Sequence, residues 1–102
     1  MLESDIQHEI LETLDKLGLF YWRSQTLAIR GRSNNKQSQK LKGMPDIMCL
    51  LPPHGTLVGL EVKTEDGKPS TEQLEWGRNL ESNGGKFFIV RSVEDVLKAL
   101  GE

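Results

Sequence analysis

Cysteine is nearly missing from this chain. The single Cys49 among 102 residues excludes an internal disulfide, and its place in an apolar run reads as a small core residue. No apolar stretch approaches the roughly 20 residues that a membrane helix requires, so no membrane contact is expected. The start, Met1-Leu2-Glu3-Ser4-Asp5, lacks the basic and then apolar pattern of a secretory signal. A cytoplasmic setting is the expectation. Only two histidines occur, His8 and His54, far apart in sequence, which argues against a histidine-based metal or general-base site. Length leaves no room for a second independent core, and neither repeats nor a long linker divide the chain, so one domain over residues 1–102 is expected.

An overall excess of positive charge is also missing. The formal net charge is -2, whereas a polyanion is bound through clustered Lys and Arg. The charges are not evenly mixed, however. Between Asp15 and Asp46 lie Lys16, Arg23, Arg30, Arg32, Lys36, Lys40 and Lys42, with no acid among them. Two readings fit this island: a surface for a polyanionic partner, or a solvated loop whose bases offset acidic helices. Tyr21 and Trp22 beside it suit base stacking or, more simply, core packing.

Periodicity supplies the elements. Ile6, Ile10, Leu11, Leu14 and Leu17 recur at helical spacing, with Ser4 and Gln7 as a capping box and Gly18 as a stop. Leu19 to Arg23 suits a short strand, and the polar, basic stretch from Gly31 to Lys42 reads as a loop. Asp46 to Leu51 and Leu57 to Lys63 are β-rich runs about the turn Pro52-Pro53-His54-Gly55, which predicts a hairpin. Ser70, with Gln73 at the capping-box position, opens a second helix that ends near Gly84-Gly85. Phe87 to Val90 then forms a strand, and Ser92 caps a last helix with Val93, Val96, Leu97 and Leu100 on its apolar side. The order is αβββαβα.

The hairpin sets a register. A four-residue loop over 52–55 places Leu51 opposite Thr56 and, continuing the ladder, Asp46 opposite Glu61. Opposed residues share a face with Cβ atoms about 5 Å apart, and Lys63, two residues beyond Glu61, joins them. Two facing carboxylates on apolar strands repel each other unless something compensates. A divalent cation does so: Mg2+ binds through one or two carboxylates and keeps positions for phosphate and water. Lys63 beside it can orient water and offset charge on a phosphate under attack. The alternative is a Glu61–Lys63 surface salt bridge. Pro-Asp and Glu-x-Lys are each common by chance, and only their joint placement on adjacent strands carries weight.

Gly43-Met44-Pro45-Asp46, then Glu61-Val62-Lys63, then Gln73, within an αβββαβ order, resemble the PD-(D/E)xK nucleases. More narrowly they resemble the VRR-Nuc family in its small stand-alone form from phages and bacteria. The resemblance runs from Glu3 to Val90-Arg91-Ser92. It implies an α/β, restriction-endonuclease-like core with a mixed central sheet flanked by helices, in a bacterial or phage-infected cell. It also implies Mg2+- or Mn2+-dependent hydrolysis of DNA phosphodiesters without an organic cofactor. Asp46, Glu61 and the carbonyl of Val62 become metal ligands, and Lys63 the catalytic lysine. Glu3 matches a first-helix glutamate near the metal, although a surface charge at a helix N-terminus has the same pattern. Gln73 matches a glutamine supporting the Glu-x-Lys strand, or only completes Ser70's capping box. Arg23, Arg30, Arg32, Lys36, Lys40, Lys42 and Arg91 are the candidates for DNA contact. Small stand-alone members resemble Holliday-junction resolvases in being homodimers, so branched DNA is the expected substrate. A flap, nick or nonselective nuclease, or a non-catalytic DNA-binding protein, is the alternative.

Overall fold

The computed structural model of the protein describes residues 1–24 and 42–102. Its elements are α1 (Glu3–Lys16), β1 (Phe20–Arg23), β2 (Ile47–Leu51), β3 (Thr56–Val62), α2 (Thr71–Ser82), β4 (Lys86–Val90) and α3 (Val93–Leu100). The αβββαβα order is the one the sequence predicts. Among the described residues the strands form a four-stranded sheet in the order β1-β2-β3-β4. The first two pairings are antiparallel and β3 pairs with β4 in parallel. A parallel pair needs a crossover, and α2 supplies it.

The hairpin register follows the four-residue loop: Leu51 pairs with Thr56 and Ile47 with Leu60, and Gly55 N–H closes the turn on the Leu51 carbonyl at 2.9 Å. Because side chains alternate along a strand, Ile47, Cys49, Val58, Leu60, Val62 and Val90 lie on one face. There they pack against Ile6, Ile10 and Leu14 of α1 and Val96 of α3. Glu61 therefore belongs to the other face, the one α2 covers. Close approach on that side depends on Gly59, where a Cβ would stand 2.7 Å from Pro45 Cγ and 3.1 Å from Leu80 Cδ2.

Two helix starts behave as expected. Ser70 Oγ accepts from Gln73 N–H, and Ser92 Oγ from Asp95 N–H, each at 3.1 Å. The start of α1 differs. Leu2 is the N-cap, its N–H donating to Asp5 Oδ2 at 3.1 Å, so Ser4 lies inside the helix and Gln7 is buried instead of capping. An ionised carboxylate is a stronger acceptor for a free N–H than a hydroxyl, and it also meets the positive end of the helix dipole.

Gly43 controls how the chain enters β2. Its φ is +86°, and a Cβ there would stand 2.5 Å from the carbonyl oxygen of Glu72 at the start of α2. Gly55, at φ +70°, has open space around it. Gly55→Ala is therefore expected to cost only the backbone strain, about 1–2 kcal/mol. Gly43→Ala adds a clash with backbone, for a total of about 2–5 kcal/mol. Urea midpoints at constant m-value measure both; equal losses would show that the contact with α2 is not tight.

Candidate active site

Three chain segments converge on the α2 side of the sheet. Asp46 directly precedes β2 and is held there from β1: Ser24 N–H donates to the Asp46 carbonyl at 3.0 Å, and Ser24 Oγ–H donates to the carbonyl of Pro45. So fixed, the Asp46 side chain reaches β3, where its Oδ2 accepts from Val62 N–H at 2.9 Å. In an extended strand the N–H and C=O of one residue point to the same edge. The Val62 carbonyl is thus turned toward Asp46.

Glu61 is 1% exposed. Its Oε2 accepts from Gln73 Nε2 at 2.9 Å and lies 3.6 Å from Lys63 Nζ, while its buried Oε1 receives no donor among the described residues. Burial raises the Glu61 carboxyl pKa to about 8, the neighbouring Asp46 adds to the rise by its charge and by hydrogen bonding to the protonated acid, and Lys63 opposes it. Gln73 fills both roles that the sequence left open. Its Oε1 accepts from Ser70 N–H at 2.8 Å, completing the capping box, and its Nε2 supports Glu61. One amide thereby couples the start of α2 to β3.

The other candidates are placed differently. Glu3 is exposed in the first turn of α1, with no hydrogen bond or ion pair to the cluster. Arg23 ends β1 opposite Ile47, and Lys42 is exposed 3.8 Å from Glu72. Arg30, Arg32, Lys36 and Lys40 lie outside the described residues. Arg91 turns inward: its Nη1 donates to the carbonyls of Thr64, Glu65 and Gly67. His8 pairs with Glu12 at 2.8 Å on the exposed side of α1. Tyr21 packs on the core and donates to Asp15 Oδ1 at 2.7 Å, while the Trp22 ring tilts against exposed Phe20. Cys49 is buried, its thiol pushed up to about 11 by burial. Sequence reasoning missed Ser24, whose hold on the Pro45-Asp46 backbone has no local signature.

The family model of the VRR-NUC domain matches residues 2–94 of the chain. The chain belongs to the VRR-NUC family. A solved structure described as a VRR_NUC domain is 29% identical to it, covers 98% of this chain and 95% of its own, and superposes with a TM-score of 0.70. Among curated proteins none matches. VRR-NUC membership implies a nuclease-type function with DNA as partner, in a family that generally uses divalent metals. Among the described residues no three of His, Cys, Asp and Glu converge, so the carboxylates here number two. The described residues include no helix long and apolar enough to cross a membrane.

The buried Glu61 sets a pH dependence. Its folded pKa of about 8 lies above the ordinary 4.5, so the unfolded state releases this proton first. The residue therefore destabilises the metal-free fold progressively as pH rises from about 4.5 to 8. In Glu61→Gln an amide next to Asp46 can donate where two carboxylates opposed each other. The variant is expected to be more stable than the wild type at pH 8 without metal, with the difference shrinking toward pH 5. Melting temperatures across that range measure it, and a pH-independent difference would contradict the buried-acid account.

Proposed function

We propose that the protein is a divalent-metal-dependent endonuclease in which Asp46, Glu61 and the Val62 carbonyl hold Mg2+ or Mn2+ and Lys63 assists the chemistry. The observation that supports this most is the pairing of the buried Glu61 carboxyl with Asp46, with no donor to Glu61 Oε1 among the described residues. Buried polar atoms without a partner are rare, and they call for an explanation such as an ion. The donors fit a hard cation: a carboxylate just before β2, another from β3 and a carbonyl turned to the same edge, all oxygen. Bound there, a divalent ion supplies positive charge to a phosphate oxygen and lowers the pKa of a water molecule.

The remaining work falls to the chain. Lys63 Nζ, held 3.6 Å from Glu61 Oε2 and mostly shielded from solvent, can donate to the incoming water or to a phosphate oxygen. It thus balances negative charge as the new P–O bond forms and the old one breaks. Gln73 keeps Oε2 engaged, which leaves Oε1 as the ligand atom. The substrate class proposed is branched DNA such as a Holliday junction, cut by a homodimer whose two-fold axis sets two sites against two strands. A panel of labelled junction, flap, duplex and single-stranded DNAs, each with Mg2+, Mn2+ or EDTA, tests this. Equal cleavage of all four forms would overturn the junction preference, and cleavage in EDTA the metal.

Asp46→Asn and Glu61→Gln are each expected to abolish cleavage while DNA binding persists. Lys63→Ala should lose at least about 100-fold in rate yet still bind metal in calorimetry. Substantial activity in either carboxylate variant would sink the proposed site.

The basic island yields a separate expectation. If Arg30, Arg32, Lys36 and Lys40 each neutralise one phosphate, replacing all four with Ala should flatten the slope of log K against log salt by roughly 3 to 4 units per protomer. The measurement is made on duplex with metal withheld. An unchanged slope would leave the island as solvated surface.

A further inference from the structure

Arg91 stands immediately after β4 and is anchored from behind. Its N–H donates to Asp95 Oδ2 at 2.8 Å, and the N–H of Asp95 is in turn capped by Ser92 Oγ. From this base the side chain crosses toward the end of β3, where Nη1 meets the carbonyls of Glu65 at 3.2 Å and Gly67 at 2.7 Å as well as that of Thr64. Nη1 carries two hydrogens, and three acceptors converge on it. Nη1 is thereby committed to backbone, which removes one arm of the terminal fork that captures a phosphate and leaves only the Nε–Nη2 edge for a further acceptor.

What the clamp holds is the turn that begins one residue after Lys63. Lys63 N–H donates to the Val90 carbonyl at 3.0 Å, so strand pairing reaches Lys63 from the same side on which Arg91 holds the next residues. The chain then runs from this turn to Ser70 and Gln73. Lys63 Nζ and Gln73 Nε2 both face Glu61 Oε2, at 3.6 and 2.9 Å, so the two groups on that oxygen sit at opposite ends of a single connection. Holding its first turn fixes the end at Lys63 and restrains the chain that leads on to Ser70 and Gln73.

We propose that Arg91 is a positioning residue of the nuclease: by gathering the Thr64, Glu65 and Gly67 carbonyls it sets Lys63 and Gln73 against Glu61, and it does not contact DNA. The inference rests on the nuclease reading given above. A displacement of the order of 1 Å at a reacting group can lower a rate about 100-fold without touching affinity, which separates positioning from binding.

The test compares wild type, Arg91→Ala and Arg91→Lys, each at a temperature where circular dichroism shows it folded. Two quantities are read: kcat on saturating labelled junction with Mg2+, and DNA affinity against salt with metal withheld. Arg91→Ala is expected to lose about 10- to 100-fold in kcat with affinity and salt slope unchanged. Arg91→Lys, whose ammonium has three hydrogens for three carbonyls, should recover part of that loss. If Arg91→Ala does not fold, Arg91→Gln, which keeps amide hydrogens without charge, is read by the same two quantities. A salt slope shallower by about 0.9 unit with kcat retained would make Arg91 a phosphate contact and overturn the proposal. Wild-type kcat in a folded Ala or Gln variant would overturn it as well. Failure of the nuclease reading is seen separately, as wild-type protein that cleaves none of the DNAs.

Discussion

Glu61 is a carboxylate on an interior strand of the sheet, almost wholly out of water, and a second carboxylate lies next to it. A buried acid must have its charge paired and hydrogen-bonded or else keep its proton, and in the metal-free fold Glu61 keeps it well above the usual carboxylate range. Much of the α2 side of the molecule can be understood as a response. Gln73 and Lys63 compensate one oxygen, and the other receives no donor among the described residues. A fold selected for stability alone would place an apolar residue at this position, because well-packed hydrophobic replacements of buried charges are often at least as stable. The retained acid is what makes a functional explanation necessary, and VRR-NUC membership gives it a chemical class.

The means by which the chain delivers this cluster are backbone devices. Register in β2–β3 brings Asp46 level with Glu61, yet Asp46 lies just outside the strand and would be free to fray. Ser24 opposes that by donating to the carbonyls of both Pro45 and Asp46. Gly43 and Gly59 let the segment before Asp46 lie tightly between α2 and β3. The result is an acid held in place by main-chain contacts.

Gln73 shows how few residues are needed for this coupling. Its side-chain carbonyl belongs to the helix cap and its amide nitrogen to Glu61, so helix position and the orientation of Glu61 are not independent. The same economy holds on the opposite side, where the sheet's other face is filled by α1 and α3 with ordinary aliphatic packing. One face stabilises the fold, and the other carries the polar cluster.

Much of the fold was legible because its signals are local. Helical spacing in α1 and α3, the Ser70 and Ser92 caps and the Pro-Pro-His-Gly turn each act within a few residues. The turn length alone dictated the hairpin register, and with it the meeting of Asp46 and Glu61. The start of α1 was misread because Ser4 and Asp5 each offer a local acceptor, for caps two residues apart, and the carboxylate of Asp5 takes the Leu2 N–H. What the tertiary structure decided lies at long sequence separation. Ser24 acts on Pro45 twenty-one residues away, and Arg91 on Thr64 twenty-seven residues away. Such pairs leave no periodicity and no motif, since a serine or arginine bonded to backbone carbonyls looks in sequence like any surface serine or arginine. The burial of Glu61 is of the same kind. Alternation along β3 says which face it takes, but only the packing of α2, through Gly59 and Leu80, decides that this face is dry.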